Sequence, residues 1–312
     1  MAALIKRMSI DLLMPEFQVH RLAISAPNRY KVYEIPKKGT DEKREIAQPA
    51  REIKKLQYWA IKNVLSSFSV HPAATAYCKG KNILDNAIVH SMNKYLLKLD
   101  FRHFFPSIVA DDLLAFFNTN TNTNELSIED QHILYRLLFR KSKLTGRLEL
   151  SIGAPSSPIL SNILLYNFDS KVFDLCKDKD VNYTRYADDL AFSTNKPNVL
   201  TNIHEEIDKI CKKMRSPQLI LNPSKTVYTS KKHRRRITGL IITNDGKISL
   251  GHLRKREIRA ALHNFIAGKL NPEDRAKLAG LFSFAKNVEP DFAERMVKRY
   301  GSINIETLFK TF

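Results

Sequence analysis

The sequence predicts an α+β fold in one large domain or in two to three subdomains. The 312 residues are 43% hydrophobic, which is enough apolar material for a packed core. Helical periodicity dominates the first and last parts of the chain. The middle part runs strand, helix, hairpin, helix and further strands, and this order differs from the regular strand–helix alternation of a doubly wound sheet.

The first elements that we predict are a hairpin tip and a helix. Residues 51–65 carry apolar side chains at helical spacing. The charged stretch KKGTDEKREIAQP, residues 37–49, precedes them and has a turn residue at Gly39. We interpret it as the tip of a hairpin, although composition alone allows a solvated loop equally well.

A short strand, a helix and a loop follow. Residues 95–101 (YLLKLDF) form an apolar run that predicts a strand, and residues 110–117 (ADDLLAFF) predict the next helix. The tract NTNTNTN, residues 118–124, contains only Asn and Thr, so we expect an exposed loop.

The central region predicts one long helix and a hairpin. Pro155 and Pro158 stand in the first turn of a helix predicted over residues 155–176. Residues 181–193 predict two short strands joined by a tight turn at residues 187–189. The remaining predicted elements are a helix over 200–214, strands over 226–229 and 236–243, and a helix over 253–267.

The charge balance points to a polyanionic partner. Lys and Arg number 51 against 32 Asp and Glu, a formal charge of +19. This balance favours nucleic acid or an anionic membrane surface over a small neutral substrate. The N-terminus lacks the apolar core of a signal peptide, and no run approaches the roughly 20 apolar residues of a membrane span. The widely spaced Cys78, Cys176 and Cys211 predict reduced thiols, and we expect a soluble cytoplasmic protein without a membrane partner.

Three acidic residues are the candidate catalytic groups. Asp188 and Asp189 are adjacent at the tip of the predicted hairpin, where their charges repel unless a cation is present. Their simpler interpretation is as turn formers. Asp100 ends the predicted strand over 95–101, and it would join them if that strand lay beside the hairpin. Three carboxylates at one sheet edge suit two Mg²⁺ ions about 3.5–4 Å apart, as a nucleotidyl transferase needs.

A series of motifs resembles those of reverse transcriptases, in the same order, over roughly residues 30–245. They are LDFRHFF at 99–105, GAPSSPILSN at 153–162, YADD at 186–189, LNPSKT at 221–226 and TGL at 238–240. Two further signatures are narrower. Asn-Ala-Ile-Val-His at 86–90 is similar to the NAxxH signature of bacterial retron reverse transcriptases, and Ile-Thr-Gly at 237–239 is similar to their VTG signature, with Ile for Val.

The resemblance implies a right-hand polymerase fold with an antiparallel palm sheet. The fingers would comprise residues 1–94 and 107–150, and the palm, with the catalytic site, residues 95–106 and 151–245. A small helical thumb that binds RNA would occupy residues 246–312.

The resemblance also implies roles at the reaction centre. Asp100, Asp188 and Asp189 would hold two Mg²⁺ ions, for which Mn²⁺ is a substitute, and the backbone carbonyl of Phe101 would add a ligand. Lys225 would give a proton to pyrophosphate.

The incoming nucleotide would meet a second group of residues. Phe105 would be the steric gate that rejects a ribose 2′-OH, and Tyr186 would lie under the primer end. Lys43 and Arg44 would hold the triphosphate, and Gly153 would permit a close backbone approach. The chain departs from the family at Ile152, where the usual residue is a Gln that supports the sugar of the incoming nucleotide.

RNA-binding residues are implied in the two signatures and in two basic segments. Asn86 and His90 have a plainer interpretation as capping or buried helix residues, and a basic helix face is often only solvated. The implied RNA-binding residues are Asn86, His90, Lys231, Lys232, Arg234, Arg235, Arg236, Thr238, Gly239, Arg254, Lys255, Arg256 and Arg259.

The implied reaction is DNA synthesis from dNTPs on an RNA template. In a retron the first primer is the 2′-OH of an internal guanosine in a cognate structured non-coding RNA, and the branched RNA–DNA product, msDNA, stays bound. A toxic effector protein and a role in anti-phage defence would follow. Two alternatives stay open: another small bacterial reverse transcriptase, of the diversity-generating or abortive-infection type, and a non-catalytic scaffold for RNA and protein. The oligomeric state is left open.

Overall fold

The computed structural model describes residues 2–37, 41–120 and 126–310. Helices dominate both ends of the chain, and the strands lie mainly in its middle. The helices are α1 (Ala3–Leu12), α2 (Glu16–Ser25), α3 (Arg51–Asn63), α4 (Ile83–Ile88), α5 (Phe104–Ser107), α6 (Ala110–Thr119), α7 (Ile128–Leu137), α8 (Ser157–Leu164), α9 (Tyr166–Asp178), α10 (Val199–Lys213), α11 (His252–Ile266), α12 (Pro272–Val288), α13 (Pro290–Tyr300) and α14 (Ser302–Thr307). The strands are β1 (Tyr30–Pro36), β2 (Lys43–Pro49), β3 (Tyr95–Asp100), β4 (Arg140–Lys141), β5 (Leu148–Glu149), β6 (Asn182–Tyr186), β7 (Asp189–Thr194), β8 (Val227–Ser230), β9 (Arg235–Ile237), β10 (Leu240–Ile242) and β11 (Ile248–Ser249).

An antiparallel four-stranded sheet of order β6-β7-β3-β8 lies at the centre of the molecule. The predicted strand over 95–101 is β3, and it lies beside the predicted hairpin, which is β6 and β7. This arrangement confirms the α+β prediction and the pairing on which the acidic cluster depends. Helices α8, α9 and α10 supply apolar side chains that cover the sheet.

The charged hairpin is also present. Strands β1 and β2 pair antiparallel from Tyr30 opposite Pro49 to Pro36 opposite Lys43. The predicted turn at Gly39 lies outside the described residues, as do residues 121–124 of the Asn/Thr tract. Asn118 and Thr119 of that tract belong to the end of α6 rather than to a loop.

Two elements that the sequence predicts as continuous are interrupted in the structure. The helix predicted over 155–176 is two helices, α8 and α9, separated at Leu165, whose ψ of 5° is not helical. The apolar stripe continues across this break, so periodicity does not reveal it. The strand predicted over 236–243 is the hairpin β9–β10, which turns at Thr238 and Gly239, both at positive φ (45° and 86°).

Two hydrophobic clusters form the interior. The larger one joins α1–α3 and α6–α10 to the central sheet. The smaller one joins β9–β11 to α11–α14, and it includes Leu96 of β3 and Ala191 of β7. Strands β9 and β10 therefore share a core with the C-terminal helices, although the predicted palm segment, residues 151–245, includes both strands.

Two further predictions concern the thiols and the membrane. The three cysteines are free thiols, as predicted, and Cys176 and Cys211 are buried. In the described part of the chain, no helix combines the length and the apolarity that a bilayer crossing requires.

Candidate active site

The three acidic residues meet at one end of the central sheet. Asp100 is the last residue of β3 and stands directly opposite Asp189, the first residue of β7. Directly opposed residues have Cβ atoms about 4.5–5.5 Å apart on the same face of a sheet. Asp188 lies in the adjoining turn, where its carbonyl oxygen accepts a hydrogen bond from the backbone N–H of Phe101 at 3.1 Å. The sequence prediction that these residues converge is therefore confirmed.

The carboxylates are electrostatically unfavourable as a group. Partial burial, followed by the charge of Asp100, raises the pKa of Asp188. Partial burial and the charges of Asp188 and Asp100 raise the pKa of Asp189 to about 6. Asp100 itself is 5% exposed. Such a site stabilises a bound cation because the cation relieves the repulsion.

The turn that carries Asp188 is held by a buried ion pair that sequence reasoning missed. Arg185 and Asp169 are both fully buried, with 2.6 Å between Nη2 and Oδ2. Arg185 Nη1 also donates to the carbonyl oxygen of Ala187, at 3.2 Å, and to Asn162 Oδ1, at 3.0 Å. Ala187 adopts a left-handed conformation with φ of 57°, which is costly for a residue with a Cβ atom. Arg185 therefore fixes a strained turn beside the acids.

Lys225 reaches Asp100 from a neighbouring turn. The segment Pro223–Lys225 is a 3₁₀ turn, and the N–H of Asn222 donates to the backbone oxygen of Asp100 at 2.7 Å. Lys225 Nζ lies 2.9 Å from Asp100 Oδ2. Burial opposes protonation, but this hydrogen bond and the charges of the acids raise the pKa of Lys225 above its ordinary value. Lys225 is therefore protonated and in contact with the acidic cluster.

The acidic residues fit divalent metal ions in their chemistry. Carboxylate oxygens are the ligands that Mg²⁺ and Mn²⁺ prefer. Oδ1 of Asp100 is buried and has no hydrogen-bond partner within residues 2–37, 41–120 and 126–310. In those same ranges, no three His, Cys, Asp or Glu side chains already form a compact metal cage. The site thus offers an unpartnered oxygen and repelling charges, while small side-chain movements would have to complete the coordination.

The hairpin β1–β2 reaches the same site. Arg44 is close enough for its charge to lower the pKa of Asp188, against the stronger opposing effect of burial. The pKa of Glu42 is lowered mainly by Lys37 and, to a smaller degree, by Lys225 and His103. Lys43, by contrast, is exposed and forms an ion pair with Glu34, with 3.0 Å between Nζ and Oε2. Of the two predicted finger-tip cations, Arg44 is thus the one coupled to the acids.

Gly153 makes its close approach to this hairpin. Gly153 has φ of 118°, and a Cβ atom there would lie 3.0 Å from the carbonyl oxygen of Ala47 in β2. The carbonyl oxygen of Ile152 accepts from the N–H of Ala47 at 2.8 Å. Ser151 Oγ donates to the oxygen of Ala47 at 3.1 Å. The contact that requires glycine is therefore with protein backbone, and Ile152 uses its main chain to hold β2.

The predicted steric gate and primer-end residues flank the acids. Phe105 is half-buried in α5, with its ring centroid 5.2 Å from that of the buried Phe104. The ring of Phe101 stacks on Phe104 at 5.9 Å, and its side chain is buried. Tyr186 is the half-buried last residue of β6 and precedes the turn that carries Asp188. Each aromatic residue therefore adjoins one of the two acidic segments.

The prediction that Asn86 and His90 bind RNA requires a correction, because both side chains are buried inside the protein. They are 2% and 1% exposed. His90 contacts Ser193 Oγ through Nδ1 and Thr184 Oγ1 through Nε2, each at 2.7 Å. Thr184 Oγ1 also donates to Asn86 Oδ1 at 2.6 Å. The signature thus binds helix α4 to strands β6 and β7, and the plainer interpretation, a satisfied buried pair, describes it.

Arg235 requires the same correction. Its side chain is buried, and it donates to the backbone oxygens of Asn93, Ser91 and Thr243. Strand alternation turns its neighbours outward: Arg234 and Arg236 are exposed, as is Lys232, while Lys231 is half-buried. Of the signature that follows, Thr238 Oγ1 donates to the backbone oxygen of Ile83 at 3.3 Å, and Gly239 forms the turn.

The basic face of α11 is partly an internal packing surface. Arg254 lies over the ring of Phe284, and both Lys255 and Arg259 lie over the ring of Phe292. Lys255 also forms an ion pair with Glu289, at 2.5 Å. Arg256 is exposed. Three of the four cations therefore stabilise the contacts between α11 and the helices that follow.

Sequence reasoning also missed Tyr77. This residue is 51% exposed and has φ of 60°, although it is neither Gly nor Asn. Sequence pattern contains no signal for it, because the segment around it is an irregular loop between the helix predicted over 51–65 and the strand predicted over 95–101. The buried Asp169 could have been suspected from its position on the apolar face of a helix, since a buried charge requires a partner.

Comparison with known proteins adds evidence beyond the geometry. The family described as "Reverse transcriptase (RNA-dependent DNA polymerase)" matches residues 35–242. The chain is 41% identical to the Retron Ec83 reverse transcriptase of Escherichia coli, over 97% of this chain and 98% of that protein. It is 30% identical to the Retron Ec86 reverse transcriptase of Escherichia coli, over 90% of this chain and 85% of that protein.

A solved structure resembles the fold. Apo telomerase from Candida tropicalis aligns with a TM-score of 0.50 at 12% identity, over 90% of this chain and 61% of that chain. The chain therefore spans about three fifths of that telomerase. At this identity the likeness concerns the fold alone, which is the right-hand polymerase fold.

Proposed function

This chain belongs to the reverse transcriptase family and, within it, to the retron reverse transcriptases, and we propose that it makes branched RNA–DNA from a cognate structured non-coding RNA. The 2′-OH of an internal guanosine of that RNA is the first primer, and the msDNA product stays bound. The convergence of Asp100, Asp188 and Asp189 at one end of the sheet carries the proposal. A chain that kept this fold only as a scaffold would have no need to retain three repelling acids there.

The proposed step joins the primer to the nucleotide. The primer oxygen attacks the α-phosphorus of a dNTP, the bond from this phosphorus to the bridging oxygen breaks, and pyrophosphate leaves. Asp100, Asp188 and Asp189, with the carbonyl of Phe101, would hold the divalent cations, Mg²⁺ or Mn²⁺. When bound, such cations supply activation of the primer hydroxyl and stabilisation of the leaving group.

The residues of this chain position the nucleotide and move the proton. Lys225, protonated and 2.9 Å from Asp100, gives its proton to the departing pyrophosphate. Arg44, with Lys43 beside it, binds the triphosphate from the β1–β2 hairpin. Phe105 excludes the 2′-OH of a ribonucleotide, and Tyr186 supports the primer end. The loop at Ile152 and Gly153 holds the hairpin over the site.

The three proposed regions divide the work. Fingers (1–94 and 107–150) bind the triphosphate, the palm (95–106 and 151–245) catalyses, and the thumb (246–312) follows the duplex backbone. The exposed cations Lys232, Arg234, Arg236 and Arg256 face the RNA phosphates. In the cytoplasm the nucleoprotein would act with a toxic effector protein in anti-phage defence.

Nucleic acid that copurifies with the protein from cells carrying the native locus tests this function. We expect a species on a denaturing gel that RNase shortens to a discrete DNA and that DNase shortens to RNA. Asp188→Asn removes the carboxylate charge, so the DNA part should disappear while RNA remains bound. Asp178→Asn, an exposed acid at the end of α9, is the matched control and should leave the product unchanged.

Three other results would contradict the proposal in different ways. RNA alone from the wild-type protein would favour the scaffold. DNA without attached RNA would favour a reverse transcriptase of another bacterial type. Intact branched product from Asp188→Asn would show that the acidic cluster does not catalyse its synthesis.

A further inference from the structure

The segment that carries Tyr77 extends the catalytic sheet at its outer edge. Ala74 forms a parallel bridge with Arg185 of β6. The N–H of Arg185 donates to the oxygen of Ala73 at 2.8 Å, and the N–H and Oγ1 of Thr75 donate to the oxygen of Arg185 at 2.8 and 3.0 Å. The loop is thereby fixed to the strand that leads into the catalytic turn.

The parallel direction carries the Tyr77 segment toward the acids. Ala74 lies beside Arg185, and from this bridge both segments run in the same direction, one to Tyr77 and the other to Asp188. The electrostatics agree with this placement. Burial is the main cause of the raised pKa of the Tyr77 hydroxyl, Asp188 and Tyr186 raise it further, and Arg44 lowers it. Tyr77 therefore belongs to the surroundings of the active site.

The backbone at Tyr77 is held in a conformation that displays the ring. Its φ of 60° is rare for a bulky residue and strains the backbone. The oxygen of the preceding Ala76 accepts from the buried Asn162 Nδ2 at 2.8 Å, and Asn162 is also a partner of Arg185. Strain of this kind persists where the surroundings impose it, often at functional sites. Here it places a 51% exposed aromatic ring beside the catalytic turn.

The position of the Tyr77 ring indicates which part of the substrate it contacts. In the order β6-β7-β3-β8, the Tyr77 segment lies beyond β6, whereas Lys225 approaches Asp100 of β3 from the segment before β8. Lys225 marks the side of the leaving pyrophosphate, so the opposite edge is left for the template strand. Exposed aromatic rings beside a polymerising site offer a π-face to which any base can stack.

We propose that Tyr77 is a positioning residue whose ring stacks on the template base that pairs with the incoming nucleotide. The inference deepens the proposed function and rests on it for the assignment of the two sides of the site. It requires the aromatic ring but not the hydroxyl. It also requires the left-handed backbone, which Asn and Gly adopt more readily than other residues.

Binding of a fluorescent template–primer tests the proposal without catalysis. The probe is an RNA template annealed to a DNA primer with a 3′-OH, with 2-aminopurine at the templating position, in EDTA and without dNTPs. We expect wild type and Tyr77→Phe to quench the fluorescence on binding. Tyr77→Asn should lose the quench and bind about tenfold more weakly, the effect of one lost base stack.

Two further variants make the result decisive. Tyr77→Gly removes the ring without backbone strain and should behave as Tyr77→Asn does. Tyr58→Asn, which removes an exposed tyrosine from α3, should behave as wild type. Retained quench and affinity in both Tyr77→Asn and Tyr77→Gly would overturn the proposal, as would loss of the quench in Tyr77→Phe. Because the probe needs no branched priming, failure of the msDNA experiment would leave this result unaffected.

Discussion

Asp100 takes its chemical character from three neighbours that are distant in sequence. Asp189 opposes it across the sheet, Lys225 pairs with one of its oxygens, and Asn222 holds its main chain. Its other oxygen has no hydrogen-bond partner among the described residues. This carboxylate is buried, with one oxygen paired to Lys225 and the other oxygen unpartnered. It is therefore suited to replace the lysine contact by a bond to a metal cation.

Lys225 provides the first prediction at the residue scale. Lys225→Met removes the proposed proton donor, so single-nucleotide addition should slow by about 10²–10⁴-fold, the usual contribution of general acid catalysis. The affinity for template–primer should change little. Rapid-quench kinetics under single-turnover conditions measures both quantities. Lys171→Met, at an exposed lysine of α9, is the control, and equal rates for the two variants would contradict the assignment.

His90 provides a prediction about pH. Burial lowers the pKa of its imidazole from 6.5 to about 3, so the folded protein keeps it neutral. Protons then favour the unfolded chain below pH 6.5, and stability falls as pH decreases. From pH 7.5 to pH 5 this single group should cost about 2 kcal/mol.

Urea unfolding of wild type and His90→Gln at the two pH values measures this effect. His90→Gln should be less stable at pH 7.5 but should lose about 2 kcal/mol less on acidification. His20→Gln, at an exposed histidine, should retain the wild-type dependence. An unchanged pH dependence in His90→Gln would place the sensitivity elsewhere.

At the scale of elements, three short segments between the helices and strands hold the strands around the acidic residues. The loop with Ile152 and Gly153 binds β2, the turn at Pro223–Lys225 binds β3, and the Tyr77 loop binds β6. Each connection uses backbone groups, so its effect on the site depends on conformation more than on side-chain chemistry.

Gly153 tests the first of these connections. Gly153→Ala would place a Cβ atom 3.0 Å from the oxygen of Ala47 at an unfavourable φ, so it should destabilise the protein by about 1–3 kcal/mol. Gly280→Ala is the matched control. Gly280 lies inside α12 with no atom within 4 Å of an added Cβ, so that change should stabilise by about 0.5–1 kcal/mol. Chemical unfolding measures both, and equal signs would contradict the argument.

The β1–β2 hairpin gives an internal comparison between two adjacent cations. Arg44 influences Asp188, whereas Lys43 is paired with Glu34. We therefore expect Arg44→Gln to raise the KM for dNTP about tenfold or more, and Lys43→Gln to raise it less than about threefold. Steady-state primer extension with varied dNTP distinguishes them. A larger effect at Lys43 would reverse the proposed roles.

For the whole molecule, the cationic residues behind the formal charge of +19 divide into those that stabilise the fold and those that remain exposed. Some cations serve the interior, as Arg185 and Arg235 do, and others lie over aromatic rings of the C-terminal helices. The exposed cations remain for a polyanion. Net charge alone therefore overestimates the surface available to RNA.

Salt dependence measures that surface. Replacing both exposed residues, Arg234 and Arg236, by Gln should lower the slope of log Kd for the cognate RNA against log salt by about 1.5, since each phosphate contact contributes about 0.7–0.9. The control replaces Lys209 and Lys212, which pair with Glu206 and Asp208 on α10, and changes the net charge equally. Equal changes in slope would indicate a long-range effect of net charge.

Much of the site could be predicted because its parts are local in sequence. The hairpin around Asp188 and Asp189, the strand that ends at Asp100 and the turn at Lys225 each have a recognisable pattern. The buried partners could not be predicted in this way. Arg235 and the exposed Arg234 and Arg236 stand in one basic run, and only the direction of each side chain at the start of β9 and just before it separates them.

By itself the sequence determined the α+β class, the basic character, the order of the motifs and the family to which the chain belongs. Only the tertiary structure decided that Asn86 and His90 connect α4 to the sheet, that helix 155–176 is broken at Leu165, and that the Tyr77 loop pairs with β6. The physical reason is the range of the interactions. Periodicity and turn chemistry act over a few residues, whereas burial and hydrogen-bond partnership depend on groups brought together from distant parts of the chain.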